Sequence, residues 1–215
     1  MNEDLFQAGY DVTKKSKLKR FYDSYKIFIY SSVFILIIIF VSFSFYIGSK
    51  EKKRILLSEN YVQAKIYLES GNKNEAKNIL KETIFENDPT YSTLSLFLIV
   101  NENMIQDNSE LIELFDHVLK NNKLSEEIKN LLIYKKALFN SDFIDEYKLI
   151  ESTRTLINSD NLWKPHALLL LGDYFAFKGE NIKSIEFYQE IFTINNLHPN
   201  IYDHAKSQLS KISNE

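Results

Sequence analysis

The chain has 215 residues, with 26 Lys and Arg against 29 Asp and Glu, which gives a net charge of −3 at pH 7. This acidic balance argues against nucleic acid as a partner, because binding it depends on a basic surface. The sequence contains no cysteine, so disulfide bonds and thiol chemistry are excluded.

Residues 1–26 are predicted to be a short charged tail, and residues 27–47 follow without a single charged residue, glycine or proline. As a helix this run would span about 31 Å, which is about the thickness of the hydrocarbon core of a bilayer. A cleaved signal peptide would have a shorter apolar stretch, of roughly 7–15 residues, and a small-residue cleavage site. Residues 27–47 are therefore predicted to form an uncleaved transmembrane helix that anchors the chain.

The orientation of this anchor follows from the basic residues on its two sides. Residues 14–26 contain six Lys and Arg, and residues 50–54 contain four. Because cytoplasmic flanks carry the larger number of basic residues, the N-terminus is predicted to be cytoplasmic. The preference is small on charge alone.

Residues 51–215 are predicted to form a single all-α domain. Helical segments alternate with short polar breaks, and apolar residues recur within each segment at intervals of three and four. The whole chain has only five Gly and three Pro, and no Asn-Gly hairpin turn. Short links between helices favour antiparallel hairpins, and the first helix is expected to continue directly from the anchor.

The spacing of the hairpins predicts a repeat. Pro165 and Pro199 are 34 residues apart, and each lies where the first turn of a helix tolerates proline. Aligning Gly71 with Gly179 puts further repeat starts near residues 57, 91 and 125, so the steps between starts are 34, 34, 40 and 34 residues and one repeat is longer than the others. A helix–turn–helix period of 34 residues is the signature of tetratricopeptide repeats. The domain is therefore predicted to hold about four such repeats and a capping helix at 199–212; the alternative is an irregular helical bundle.

The copy that begins at Pro165 matches the repeat pattern best. Gly172 is the small residue that would let the two helices of this hairpin approach closely. The positions of the repeat pattern are occupied by Leu168, Leu171, Gly172, Phe175, Ser184, Tyr188 and Ile191.

The first helices of stacked repeats line a concave groove, which can hold an extended or helical peptide. By the alignment above, the candidate peptide-contacting residues lie on three of these helices. They are Ser95, Ile99, Lys129, Ile133, Leu169 and Asp173. The alternative is that these are ordinary surface residues.

The sequence contains no catalytic motif. Its four histidines, His117, His166, His198 and His204, form no H-E-x-x-H pair, and there is no glycine-rich phosphate loop or G-x-S-x-G elbow. We therefore predict that the chain is not an enzyme and holds no metal and no cofactor. Trp163, the only tryptophan, is expected to have a packing role before a helix rather than a binding role.

A charged tail, one anchor helix and a degenerate tetratricopeptide-like domain together resemble a bacterial inner-membrane family. This is the family typified by the ancillary subunit of the SecYEG translocon. The motifs that carry the resemblance are Asp4-Leu5-Phe6, Val12 and the basic residues 14–20 in the tail, and residues 163–172 in the domain. The resemblance implies a periplasmic domain, contact with translocon subunits or periplasmic chaperones, and no catalysis.

Two functional hypotheses follow. The first is a membrane-anchored, non-catalytic protein–protein interaction module, ancillary to the Sec translocon or to the periplasmic chaperone network. The alternative is an assembly or scaffold factor for another cell-envelope complex, in division or respiration. An enzyme would need a deep pocket lined by convergent polar groups, which the sequence gives no reason to expect.

Overall fold

The computed structural model describes residues 17–212, and within this range the chain is entirely helical, with nine helices and no strand. This confirms the prediction of an all-α fold. The helices are α1 (Lys17–Glu69), α2 (Lys73–Phe85), α3 (Tyr91–Asn101), α4 (Asn108–Asn121), α5 (Glu126–Asn140), α6 (Glu146–Ile157), α7 (Lys164–Phe177), α8 (Asn181–Ile191) and α9 (Pro199–Ile212). The chain divides into two compact units, one up to Ile55 and one from Leu56 onward.

The first unit is dominated by the apolar part of α1. Large apolar side chains cover it on every side and are exposed, as Phe45 is to 80%. Of the described helices, α1 alone is long and apolar enough to cross a membrane, and none of its apolar window is buried. A helix of this kind is compatible with a single-pass membrane anchor. Of the predicted tail, residues 1–16 lie outside the described range and residues 17–26 belong to α1.

The second unit consists of helices that pack against their neighbours in sequence. Each of α2 to α8 contacts the next helix in the chain, and α2 also contacts α4. Next-but-one contacts join α5 to α7 and α7 to α9. The ion pair between Lys164 at the start of α7 and Glu190 at the end of α8, 3.0 Å apart, shows that these two helices are antiparallel.

Three clusters of buried side chains form the core of this unit. The first joins the end of α1 to α2, α3 and α4, and reaches Leu132 on α5. The second lies between α5, α6 and α7 around Phe175, and the third joins α7, α8 and α9 around Tyr188. Only α5 contributes buried residues to both the first cluster and the second, through Leu132 and Ala137.

Two turns that end on a glycine have the same geometry. Gly71, after α1, and Gly179, after α7, have φ values of 81° and 74°, a region that glycine adopts without strain. In both turns the N–H of the next residue donates to the carbonyl four residues before the glycine, at 2.8 and 2.9 Å. This is the Schellman arrangement, which satisfies the last carbonyl groups of a helix. The glycines that the sequence alignment pairs thus end their helices in the same way.

The hairpin of α7 and α8 is held by a close approach at Gly172. A Cβ atom added to Gly172 would lie 2.5 Å from Cε1 of Tyr188, and both residues are buried. Ser184 donates its hydroxyl to the Gly172 carbonyl at 2.9 Å. Only a residue without a side chain therefore fits between this helix and the Tyr188 ring.

Candidate binding cleft between three helix ends

An open cleft of about 640 Å³ lies in the second unit, where α5, α7 and α9 begin. The sequence fixes these helix starts locally. The Ser125 hydroxyl accepts from the N–H of Ile128 at the start of α5, and Pro165 occupies the first turn of α7. Before α7, Asn161 Oδ1 accepts from the N–H of Trp163 at 2.8 Å. The cleft thus lies among loops that end one helix and start the next, and apolar residues such as Leu162, Ile194 and Leu197 line it beside the polar ones.

An aromatic cluster forms one wall of the cleft. The rings of Trp163 and Tyr134 are stacked with centroids 5.5 Å apart and planes 24° apart. The His166 ring lies 5.1 Å from Trp163 and 5.6 Å from Tyr134. Trp163 packs as expected from its place before a helix, and it also lines the cleft, which was not expected.

The surroundings of His166 favour its neutral form. Burial lowers the pKa of its imidazole, and the nearby His198 acts in the same direction, while the Leu162 carbonyl opposes them. Its Nδ1 atom is buried and makes no hydrogen bond of ordinary length and angle to any described residue. A buried polar atom without a partner is costly unless an occupant of the site satisfies it.

The cleft carries an acidic rim. Glu126, Glu127 and Asp160 line it, and none of the described residues that line it is Lys or Arg. Lys164 lies beside the cleft in sequence, but its ammonium group is 3.0 Å from Glu190 Oε1. Asn130 also lines the cleft; the residue is only 8% exposed, and its side chain has no hydrogen bond with described residues.

The structure separates the predicted groove residues into two sets. Ser95 and Ile99, on α3, are buried, and neither has surface to offer a peptide; the prediction that they line a groove does not fit their position. The reason is that α3 is apolar on nearly every side and is enclosed by its neighbours. Lys129 on α5 is exposed, and Ile133 on the same helix is half-buried.

The other two predicted residues, Leu169 and Asp173, lie on α7, which contacts α5. Leu169 packs against the third core cluster. The Asp173 carboxylate accepts a hydrogen bond from the Tyr188 hydroxyl at 2.6 Å and lies 3.0 Å from His204 Nε2. It thereby links α7, α8 and α9, and a peptide would have to compete with these contacts.

Sequence reasoning did not find the cleft residues Asn130 and His198. In the sequence they are single polar residues in or beside helix starts, where Asn and His have ordinary structural roles. Within residues 17–212 there is no group of three or more His, Asp or Glu side chains that could hold a metal ion.

No protein-family model matches this chain, and no curated protein matches it as a relative. The function therefore has to be argued from the geometry.

Proposed function

We propose that this protein is a membrane-anchored, non-catalytic module that binds other proteins. The observation that carries the proposal is the uncovered apolar surface of α1 in a chain whose remaining helices form a domain with an open cleft. An apolar helix of this length is stable in a bilayer and costly in water. The anchor would hold the binding surface beside the membrane machinery that it serves.

A tetratricopeptide-like stack is the architecture that we infer for the domain. Three features support it: the 34-residue spacing of Pro165 and Pro199, the matching turns at Gly71 and Gly179, and the contacts that join α5 to α7 and α7 to α9. Repeats of this type bury their apolar faces against the next repeat and present extended binding surfaces. An irregular bundle would leave the 34-residue spacing accidental.

The cleft gives no support to catalysis. A general base must be oriented by a partner and placed within reach of a reacting group. The neutral His166 has aromatic rings as its neighbours, and no described carboxylate or hydroxyl is hydrogen-bonded to it. We therefore retain the inference that the protein binds and does not catalyse.

The proposed location is a bacterial inner membrane, with the N-terminus in the cytoplasm and the domain in the periplasm. It is supported by the basic residues before the anchor and by the resemblance of the tail and of residues 163–172 to the translocon-associated family. The proposed partners are translocon subunits or periplasmic chaperones.

The test is site-specific photocrosslinking in native membranes. A photoreactive residue replaces Asp160 at the cleft, and another replaces the exposed Glu82 on α2 as the control. Crosslinks to envelope proteins from the Asp160 position support the proposal. Recovery of division or respiratory subunits would favour the alternative role as an assembly or scaffold factor, and recovery of cytosolic proteins alone would refute the proposal.

The orientation needs a separate measurement. An alkaline phosphatase fused after residue 215 is expected to be active, because that enzyme works only in the periplasm. An inactive fusion at normal abundance would reverse the proposed topology.

A further inference from the structure

We propose that the cleft between the starts of α5, α7 and α9 binds a basic segment of a partner protein, with an Arg or Lys side chain inserted beside Trp163. The proposal rests on the proposed function as a binding module and names the chemistry of its partner. Three features of the cleft support it: its charge, its aromatic wall and the amide of Asn130.

The charge of the cleft is one-sided. Its rim has the three carboxylates of Glu126, Glu127 and Asp160, and no Lys or Arg among the described residues that line it. None of the three forms an ion pair within residues 17–212, whereas the neighbouring Lys164 is paired with Glu190. An acidic rim without paired cations attracts a cationic segment and repels an acidic one.

The aromatic wall suits a cation in a second way. Trp163 is the best π-surface for a bound ammonium or guanidinium group, and Tyr134 is stacked beside it. Burial lowers the pKa of the neighbouring His166, which disfavours a positive charge on its ring beside the inserted side chain.

The amide of Asn130 indicates that the occupant is polar. The residue is only 8% exposed, lines the cleft and has no hydrogen bond with described residues. Its amide is not one of the fully buried polar atoms that lack a partner, so it reaches water in the cleft, and an apolar helix there would remove that water without replacing the hydrogen bond. A guanidinium group or a peptide backbone could hydrogen-bond to it.

The size of the cleft fits a short segment of chain. A volume of about 640 Å³ lies within the range of roughly 300–1,000 Å³ typical of ligand sites. The cleft is open, so an extended segment could enter it and leave it without a lid.

The test uses the full chain in detergent micelles and a fluorescent peptide of alternating Arg, Gly and Ser, followed by anisotropy. The cleft variant carries Glu126→Gln, Glu127→Gln and Asp160→Asn. The control variant carries Glu82→Gln, Glu102→Gln and Glu113→Gln, which make the same change in net charge at exposed sites away from the cleft. Circular dichroism checks that both remain helical.

We expect the cleft variant to bind the peptide about tenfold more weakly than the wild type, and the control variant to bind it nearly as well. Asn130→Leu, which keeps the charge, should also weaken binding. A peptide with Glu in place of Arg should not bind. Equal loss in the two charge variants, or no binding to the wild type, would overturn the proposal.

Two further measurements separate this proposal from the broader one. The first is competition by spermidine. If spermidine displaces the peptide and binds more tightly than the peptide does, the cleft is a site for small polyamines, and the assignment to a protein segment is overturned. If peptide binding fails while photocrosslinks from Asp160 to envelope proteins persist, only the basic-segment proposal fails. If the peptide binds but no envelope protein is captured, the proposed function fails instead.

Discussion

Replacing Gly172 by Ala should destabilise the domain, although the same change usually stabilises a helix. A Cβ atom at this position would lie 2.5, 2.7 and 3.0 Å from three ring carbons of Tyr188. The ring is fully buried, and its hydroxyl donates to Asp173 at 2.6 Å, so it is held at both ends. The clash can be relieved only by moving α8 away from α7 or by breaking that hydrogen bond.

The magnitude follows from two opposing effects. Ala in place of Gly in a helix interior contributes roughly 0.5–1 kcal/mol of stability. Overpacking a well-filled core costs about 1–3 kcal/mol, and the Tyr188–Asp173 hydrogen bond is also at risk. The expected net loss in the free energy of unfolding is about 1–2 kcal/mol. With a urea slope of about 2 kcal/mol/M, the unfolding midpoint falls by roughly 0.5–1 M.

The assay is urea unfolding of the full chain in micelles, followed by the fluorescence of Trp163, the only tryptophan. A double-mutant cycle with Tyr188→Leu isolates the contact. The hairpin formed by the end of α1 and by α2 shows that the pair can be accommodated. When Gly71 is aligned with Gly179, Ala64 and Leu80 occupy the positions of Gly172 and Tyr188, and both are buried. In the Tyr188→Leu background, Gly172→Ala should be neutral or stabilising. A loss of stability that is equal in both backgrounds, or a gain in the wild type, would refute the reasoning.

Three other changes have expected outcomes. Gly179→Ala should lower the urea midpoint, because φ is +74° at this position, even though no atom crowds the site. Gly179→Asn should lower it less, because Asn adopts this backbone conformation more readily than Ala; equal effects would contradict the conformational explanation. Burial depresses the pKa of His166, so the unfolded state binds a proton first as the pH falls below about 6.5. The wild type should therefore lose more stability between pH 7 and 5 than His166→Phe does, and parallel pH profiles would argue against a buried neutral ring. Deleting residues 27–47 should move the chain from carbonate-washed membranes to the soluble fraction, and its retention there would contradict the anchor.

Much of the helical organisation could be predicted from the sequence. The closing helix was expected at 199–212 and is α9, and the break at Gly71 separates α1 from α2. The anchor and the first helix of the domain were expected to be continuous, and α1 passes through Gly48 and Ser49 without interruption. These features depend on local chemistry, such as the conformational freedom of Gly71 and the fixed φ of Pro199, which a sequence states directly.

The binding surface was harder to predict. Assigning Ser95 and Ile99 to a groove assumed that every first helix turns the same face outward. On α3 the polar residues Ser92, Thr93 and Ser95 are small enough to be buried with the apolar ones, so polarity does not mark an outward face. The cleft itself is assembled from three loops far apart in sequence. No single segment of the chain contains its acidic rim and its aromatic wall together.

The position of α5 makes the stability of the domain uneven. The helices before it, α2 to α4, and the helices after it, α6 to α9, are connected only through α5, which contacts α4 on one side. No buried residue belongs to both the first cluster and the third. Local unfolding can therefore release one side while the other keeps its core. The cleft lies wholly at α5, α7 and α9, so an occupant would slow amide hydrogen exchange in residues 126–212 far more than in residues 57–121. A force between the anchor and a partner bound in the cleft would therefore have to pass through α5.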